Sequence, residues 1–245
     1  MRPKTNIIDL ISRKKMKLII GLIAGLISLF LIYDWALLPY MDRWGTTAEE
    51  RKMPLAGDEL VPSDPMWALN HGITIKGTPD EIYPYFAQMG QRKAGFYSYD
   101  WLERLCGFGI YNTYELKPEW EMRTGDFCFF HQNGMGMRIH SATPPYSLVM
   151  ITDSREPDHP LPEGAWEMFP VPKGKYVAWN WSFNMVPQEN GTTRVLVRTH
   201  ANWTNTNPFL NFALKHAFAL PSDIMDRKML LTVKKLVEEK NGNRE

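Results

Sequence analysis

The sequence predicts an α+β domain, an antiparallel sheet wrapped around a long C-terminal helix, preceded by one N-terminal transmembrane helix. Three observations carry that expectation. An apolar run near the N-terminus is long enough to cross a bilayer. Period-two runs in the middle of the chain are joined by Asn-Gly turns. A stripe at helical spacing occupies the C-terminal end.

A length of 245 residues suits one domain of ordinary size plus appendages. With 44% hydrophobic and 22% charged residues, the composition is that of a globular protein. The net charge of +1 gives no basic surface for phosphate, which argues against nucleic acid as a partner. Aromatics reach 13%, with nine tryptophans; such rings fill cores or line apolar pockets. Cys106 and Cys128 form no CxxC pair and have no His/Cys cluster beside them, so no zinc site is expected. They read as free thiols, or as a disulfide if the domain faces an oxidising compartment.

From Leu18 to Tyr33, LIIGLIAGLISLFLIY is nearly uninterrupted apolar sequence, and DWALLPY extends it to Tyr40. At the helical rise, Leu18 to Leu38 covers about 30 Å, the thickness of a bilayer core. Arg2, Lys4, Arg13, Lys14, Lys15 and Lys17 precede it; Asp34, Asp42 and Arg43 follow. The positive-inside rule then makes residues 1–17 a cytoplasmic basic segment and 18–40 a single-pass anchor in the inner membrane, with the remainder extracytoplasmic. Tyr33, Trp35, Tyr40 and Trp44 would form the outer aromatic belt, and Asp34 is tolerable only at that interface. No A-x-A-like site follows the run, so it reads as uncleaved.

Residues 41–65 are polar with scattered Pro and Gly, a linker wrapping onto the domain at 66–240. In WALNHGITIKG, Trp67, Leu69, His71, Ile73 and Ile75 alternate, the mark of a strand. TPDEIYPYFAQMG opens with Thr78 as N-cap, Pro79 at N1 and Glu81 completing a capping box, and Gly90 ends it. In GFYSYDWLERLCG, Ser98 is the expected cap of a second short helix with Trp101, Leu102 and Leu105 on its inner face.

Asn133-Gly134 and Asn190-Gly191 each sit between strand-like runs, the strongest short-range hairpin signal, and Pro144-Pro145 marks another turn. In the second hairpin Trp179, Trp181, Phe183 and Met185 alternate with Asn180, Ser182 and Asn184. Residues 153–175 form a long proline-rich loop in which Trp166 and Phe169 stand out. FLNFALKHAFAL reads as one short helix. A longer one begins at Pro221, with Met225, Met229, Val233 and Leu236 on a stripe, and 241–245 is a tail.

This element order resembles the helix-grip fold. The segments PLAGDELVP, GFYSYDWLERLCG, KPEWEMRTGD and IMDRKMLLTVKK resemble those of the SRPBCC superfamily (START-like, polyketide cyclase/dehydrase and lipid-transport proteins), more narrowly an uncharacterised membrane-anchored bacterial branch. The resemblance runs from about Trp44 to Glu239. It implies a cavity between sheet and helix for a hydrophobic ligand, and carries no shared catalytic motif.

The candidate site residues read two ways each. Tyr97 and Trp101 wall a cavity with Asp100 as polar anchor or general acid/base of raised pKa, or Trp101 and Leu105 are core and Asp100 a first-turn acid favoured by the dipole. Glu119 faces the cavity or pairs with Arg198 across the sheet. An inward Arg198 would need a carboxylate or a ligand anion. Asn112 lies in the same motif-bearing region or caps a turn. His71 is a base, or a hydrogen-bonded core residue. No HExxH, G-x-S-x-G, P-loop or dinucleotide fingerprint appears, so neither metal nor cofactor is expected. The leading expectation is a membrane-anchored binder of a hydrophobic small molecule or lipid. The alternatives are a cyclase/hydratase-type enzyme in the same cavity, or an extracytoplasmic scaffold with a closed core.

Overall fold

The structure, a computed structural model, describes residues 7–62, 64–155, 160–167, 174–204 and 207–243. The chain divides into two compact units, Met1–Met41 and Asp42–Glu245. The first is helical: α1 (Ile7–Ile32), a π-helical stretch (Tyr33–Leu37) and α2 (Leu38–Met41). Its segment Lys15–Met41 is long and apolar enough to cross a membrane. Of the basic flank, Arg2 and Lys4 lie outside the described residues.

The second unit is α+β. Seven strands form one sheet in the order β1-β7-β6-β4-β3-β2, with β5 beside β3. They are β1 (Trp67–Ile75), β2 (Phe127–Phe129), β3 (Met135–Thr143), β4 (Ser147–Asp153), β5 (Trp166–Glu167), β6 (Val177–Pro187) and β7 (Thr193–Trp203). All pairings are antiparallel except β3 with β5. Helices α3 (Pro79–Ala87), α4 (Asp100–Leu105) and α5 (Pro208–Gly242) complete the unit in a helix-grip arrangement. Both Asn-Gly hairpins form, with Gly134 at φ +98° and Gly191 at +75°. Thr78 and Glu81 close the expected capping box on α3.

Register decides which side chains face the helix. His71 lies opposite Val197, and Trp181 opposite both Thr199 and Met150, so one face carries Leu69, His71, Val197, Trp181, Phe183 and Met150. Helix α5 buries Ala219, Asp223, Asp226, Met229, Leu230, Val233 and Val237; without Met229 these are spaced four, three, four, three and four residues apart. Of the predicted stripe, Met229 and Val233 are buried while Met225 and Leu236 are half-buried, because two acids, Asp223 and Asp226, take inward positions. The two predicted C-terminal helices are one helix of 35 residues running through Pro221. Pro221 removes a single main-chain donor, and packing on both sides of it holds the helix together.

The opposite face is buried too but rich in polar groups, and residues 42–62 cover it. Asn180 Nδ2 donates to the Gly57 carbonyl at 2.6 Å, and Ala56 N–H donates to Asn184 Oδ1 at 3.2 Å. Arg198 meets Asp58 at 2.5 Å, the carbonyls of Glu50 (2.8 Å) and Met53 (2.9 Å), and Asn70 Oδ1 (2.8 Å). The alternation of β6 therefore separates an apolar inner row from a polar row that binds main chain, both out of solvent. Gly57 makes this approach possible: its φ is +94°, and a Cβ there would lie 2.8 Å from Val149 Cγ1. Asp42 and Trp44 accept main-chain bonds from Asn70 (2.7 Å) and Gly72 (3.0 Å), closing the free edge of β1.

Two local expectations fail. Ser98 does not cap α4, whose N-cap is Tyr99 with no side-chain bond. Trp101 and Leu105 are 59% and 76% exposed, while Glu103 is the residue that α4 buries. A six-residue helix has too short an apolar stripe to orient itself, and the bonds of its flanking loops decide its roll. The proline-rich stretch contributes β5, with Trp166 Nε1 donating to the Asn133 carbonyl at 3.2 Å. Phe169 lies outside the described residues.

Candidate functional site: a buried carboxyl cluster behind an aromatic wall

The sequence motif around Tyr97 serves the loop itself. Gly95 turns the chain at φ +73°, where a Cβ would meet Asn112 Oδ1 at 2.5 Å. That oxygen accepts from the N–H groups of Phe96 (3.2 Å) and Tyr97 (2.9 Å), while Asn112 Nδ2 donates to the Ser98 carbonyl at 2.9 Å. Tyr97 itself has a positive φ of 56°, rare for a bulky residue, and the Asn112 clamp holds it there. Its ring is fully buried, and its hydroxyl accepts from Gln88 Nε2 at 2.6 Å. Burial raises its pKa, with the Gln88 bond opposing.

Asp100 pairs with Arg104 at 2.8 Å, and this bond lowers its pKa, opposite to the raised value expected of a carboxylate at an apolar rim. Glu119 is exposed, and Arg198 is bound by Asp58 instead, on the face away from α5. Arg198 therefore finds its carboxylate within residues 42–62. Trp101 points to solvent. Cys106 (exposed) and Cys128 (buried) are both free, and burial pushes the Cys128 thiol up to about 12.

Of the seven candidates, His71 alone enters a cluster of ionisable groups. Its Nε2 lies 3.0 Å from Asp223 Oδ1, and its Nδ1 4.0 Å from Asp226 Oδ2. The three residues are 1–5% exposed. Asp42 joins them beside β1, accepting from Trp67 Nε1 at 3.0 Å. Trp44 packs edge-on over the imidazole, ring centres 5.8 Å apart, and Arg227 stacks on the other ring at 5.0 Å.

Three carboxyls around one imidazole cannot all ionise out of water. Burial dominates each of them. It lifts Asp226 to about 7, against the pull of His71 and the Trp181 bond. It lifts Asp42 to about 6, with the Trp67 bond opposing and Asp223 adding to the rise. Asp223 is raised as well, by burial, with His71 and Asp42 holding it back. The three carboxyls therefore hold protons to higher pH than free aspartates do. Among the described residues no group of His, Cys, Asp and Glu is suited to hold a metal ion.

Trp181, whose indole lies close enough to Asp226 to hold its pKa down, connects the cluster to the aromatic wall. Its ring lies 4.8 Å from Phe183, 6.0 Å from Phe130 and 6.2 Å from Phe96. Trp181 is inward-facing and mid-sheet, yet only half-buried, whereas its row neighbours Phe183 and Trp179 are 0% and 6% exposed. Part of the Trp181 ring therefore stays within reach of solvent. A carboxyl that titrates near neutrality stands directly behind an accessible indole.

The sequence offered a signal for part of this site. A lone histidine on an inward row needs a polar partner, and α5 carries Asp223 and Asp226 three residues apart. Following apolar residues alone along that helix passes over them. Asp42 has no such signal, since it arrives from the edge pairing beside β1.

No family model matches the chain, and no curated protein is similar to it in sequence. Solved structures are similar at a distance. Protein MLL2253 from Mesorhizobium loti is 10% identical over 71% of this chain and 98% of its own, with a TM-score of 0.39. Hypothetical protein jhp0584 from Helicobacter pylori is 10% identical over 75% of this chain and 95% of its own, also at 0.39. CalU16 from Micromonospora echinospora is 12% identical over 70% and 84%, at 0.31. Likeness this distant says nothing about ligand or activity.

Proposed function

We propose that this chain is a single-pass inner-membrane protein of SRPBCC type whose extracytoplasmic domain binds a hydrophobic small molecule or lipid. The ligand occupies the opening between the sheet and α5. The observation that carries the reading is Trp181: an inward ring at mid-sheet that keeps solvent access within a wall of Phe96, Phe130 and Phe183. Covering such a wall gains roughly 25 cal/mol per Å² of apolar surface, and a single polar group at its back fixes orientation. Asp226 is that group. The basic residues before the apolar helix support the orientation through the positive-inside rule.

Native mass spectrometry of the full chain, extracted with its surrounding lipid, tests the proposal. A stoichiometric co-purifying mass that is lost in Trp181→Ala but kept in Trp101→Ala supports it. An empty protein that also takes up no member of a lipid and quinone panel overturns it in favour of a closed scaffold.

The Asp226 value of about 7 favours a second reading, a cyclase or hydratase in which Asp226 exchanges a proton with the bound molecule. That reading requires turnover of the ligand identified above, abolished in Asp226→Asn while binding persists.

A further inference from the structure

The first part of α5 is built for a different environment from the rest. Its fully buried residues begin at Ala219. Before that, Phe209 is 81% exposed, Leu210 41% and Phe212 40%, and Ala213 and Ala217 are exposed too. Phe209, Ala213, Ala217 and Leu220 recur every three or four residues and so share one side of the helix. The other side leans on the domain: Trp203 Nε1 donates to Asn211 Oδ1 at 3.0 Å, and Phe218 packs edge-on against Trp179 with centres 5.2 Å apart. The outward side is thus apolar, with Phe209, Leu210 and Phe212 as its large exposed residues, on a well-anchored helix. No acid occurs from Thr204 to Ser222, and the one Lys is Lys215.

The position of this strip follows from Asp42. That residue directly follows Met41, where the apolar N-terminal segment ends, and it lies within electrostatic reach of Lys215 and Asp223 on α5. Phe209 stands six residues before Lys215, about 9 Å along the helix axis. The chain therefore arrives from the apolar segment beside the N-terminal half of α5, between Lys215 and Asp223, and that half is the one that exposes Phe209 and Leu210. Pro208 to Leu220 covers about 20 Å, too short to span a bilayer of about 30 Å. A short helix with one apolar side, a lysine and no acids fits the headgroup–acyl boundary, lying in the plane.

We infer that Pro208–Leu220 is an in-plane membrane-binding element, docking the domain on the lipid surface through Phe209, Leu210, Ala213 and Ala217. The inference rests on the reading of the N-terminal helix as a membrane anchor. It goes beyond tethering, because it gives the domain one fixed face toward the bilayer.

Depth-dependent quenching on the full chain tests this. In a Cys106→Ser background, where the remaining Cys128 is buried, an environment-sensitive fluorophore is attached in turn at Phe209→Cys, Ile27→Cys and Asn190→Cys. The proteins are reconstituted into phosphatidylcholine–phosphatidylglycerol vesicles with or without brominated acyl chains. The expected result is a loss of at least about half the emission at positions 27 and 209 in brominated lipid, and none at 190. Quenching at 27 with position 209 open to aqueous iodide overturns the inference and leaves the anchor standing. A probe at 209 shielded from both quenchers, and released on diluting protein in lipid, assigns the strip to a second copy of the chain and also overturns it. A probe at 27 outside lipid removes the anchor and the inference together.

Discussion

Asp226 offers the most direct test of the buried cluster. Its carboxyl titrates at about 7 in the folded chain against an ordinary 3.8, chiefly because burial penalises the charge. A carboxyl whose pKa rises on folding favours the folded state while protonated. That contribution is complete below 3.8 and is lost as pH rises toward 7. Between pH 5 and pH 8 the loss covers the two pH units from 5 to 7, about 3 kcal/mol at 1.36 kcal/mol per unit. Asp226→Asn cannot ionise and keeps nearly the same volume and shape beside the Trp181 indole. Asp42 titrates in both proteins and cancels in the difference. Denaturation of the full chain in non-ionic detergent, followed by tryptophan emission across pH 5 to 8, measures the gap. The variant should gain on the parent by about 3 kcal/mol over that range, equivalent to roughly 6–12 °C in midpoint for a domain of this size. A gap that stays constant across the range refutes the buried, proton-storing cluster.

Arg198→Ala should destabilise by about 3–5 kcal/mol, since it strands Asp58 and two carbonyls under residues 42–62, and limited proteolysis should then cut within that stretch. Arg198→Lys should rescue little of this, because an ammonium cannot reproduce the planar fork; comparing midpoints of the two variants checks it. Gly95→Ala should cost about 1–3 kcal/mol, from the positive φ and the collision with Asn112 Oδ1, read from thermal midpoints. Trp101→Ala should leave stability within about 0.5 kcal/mol, as its ring is largely in solvent; a larger fall in midpoint would contradict the exposed placement.

Most of the sheet was legible because two kinds of local rule agree there. Alternation in β1 and β6 assigned the inner row correctly, and the Asn190-Gly191 turn set the β6–β7 hairpin whose register brings Trp181 opposite Thr199. The apolar N-terminal helix was equally plain. Rules of composition failed where a buried residue is polar. Asp223 and Asp226 occupy inward positions that a hydrophobic stripe skips, and nothing local says that Asn180, Asn184 and Arg198 lie under residues 42–62. Non-local pairing is what buries these groups, and no window of ten residues contains it. At α4 the motif residues were noticed, but the roll of a six-residue helix depends on Asn112, twelve residues after Asp100.

The closing of β1 against β7 has a consequence for how the protein is made. Asn70 and Arg198, bonded in the finished domain, are 128 residues apart in the chain. The first strand waits for the last, and α5 comes later still, so nearly the whole domain is synthesised before its core has a second layer. Contacts of such long range make folding slow. The apolar N-terminal segment emerges first by a wide margin. If it enters the bilayer on emergence, the domain collapses while already tethered at Asp42, and the residue that completes the buried cluster is the knot at the end of the tether.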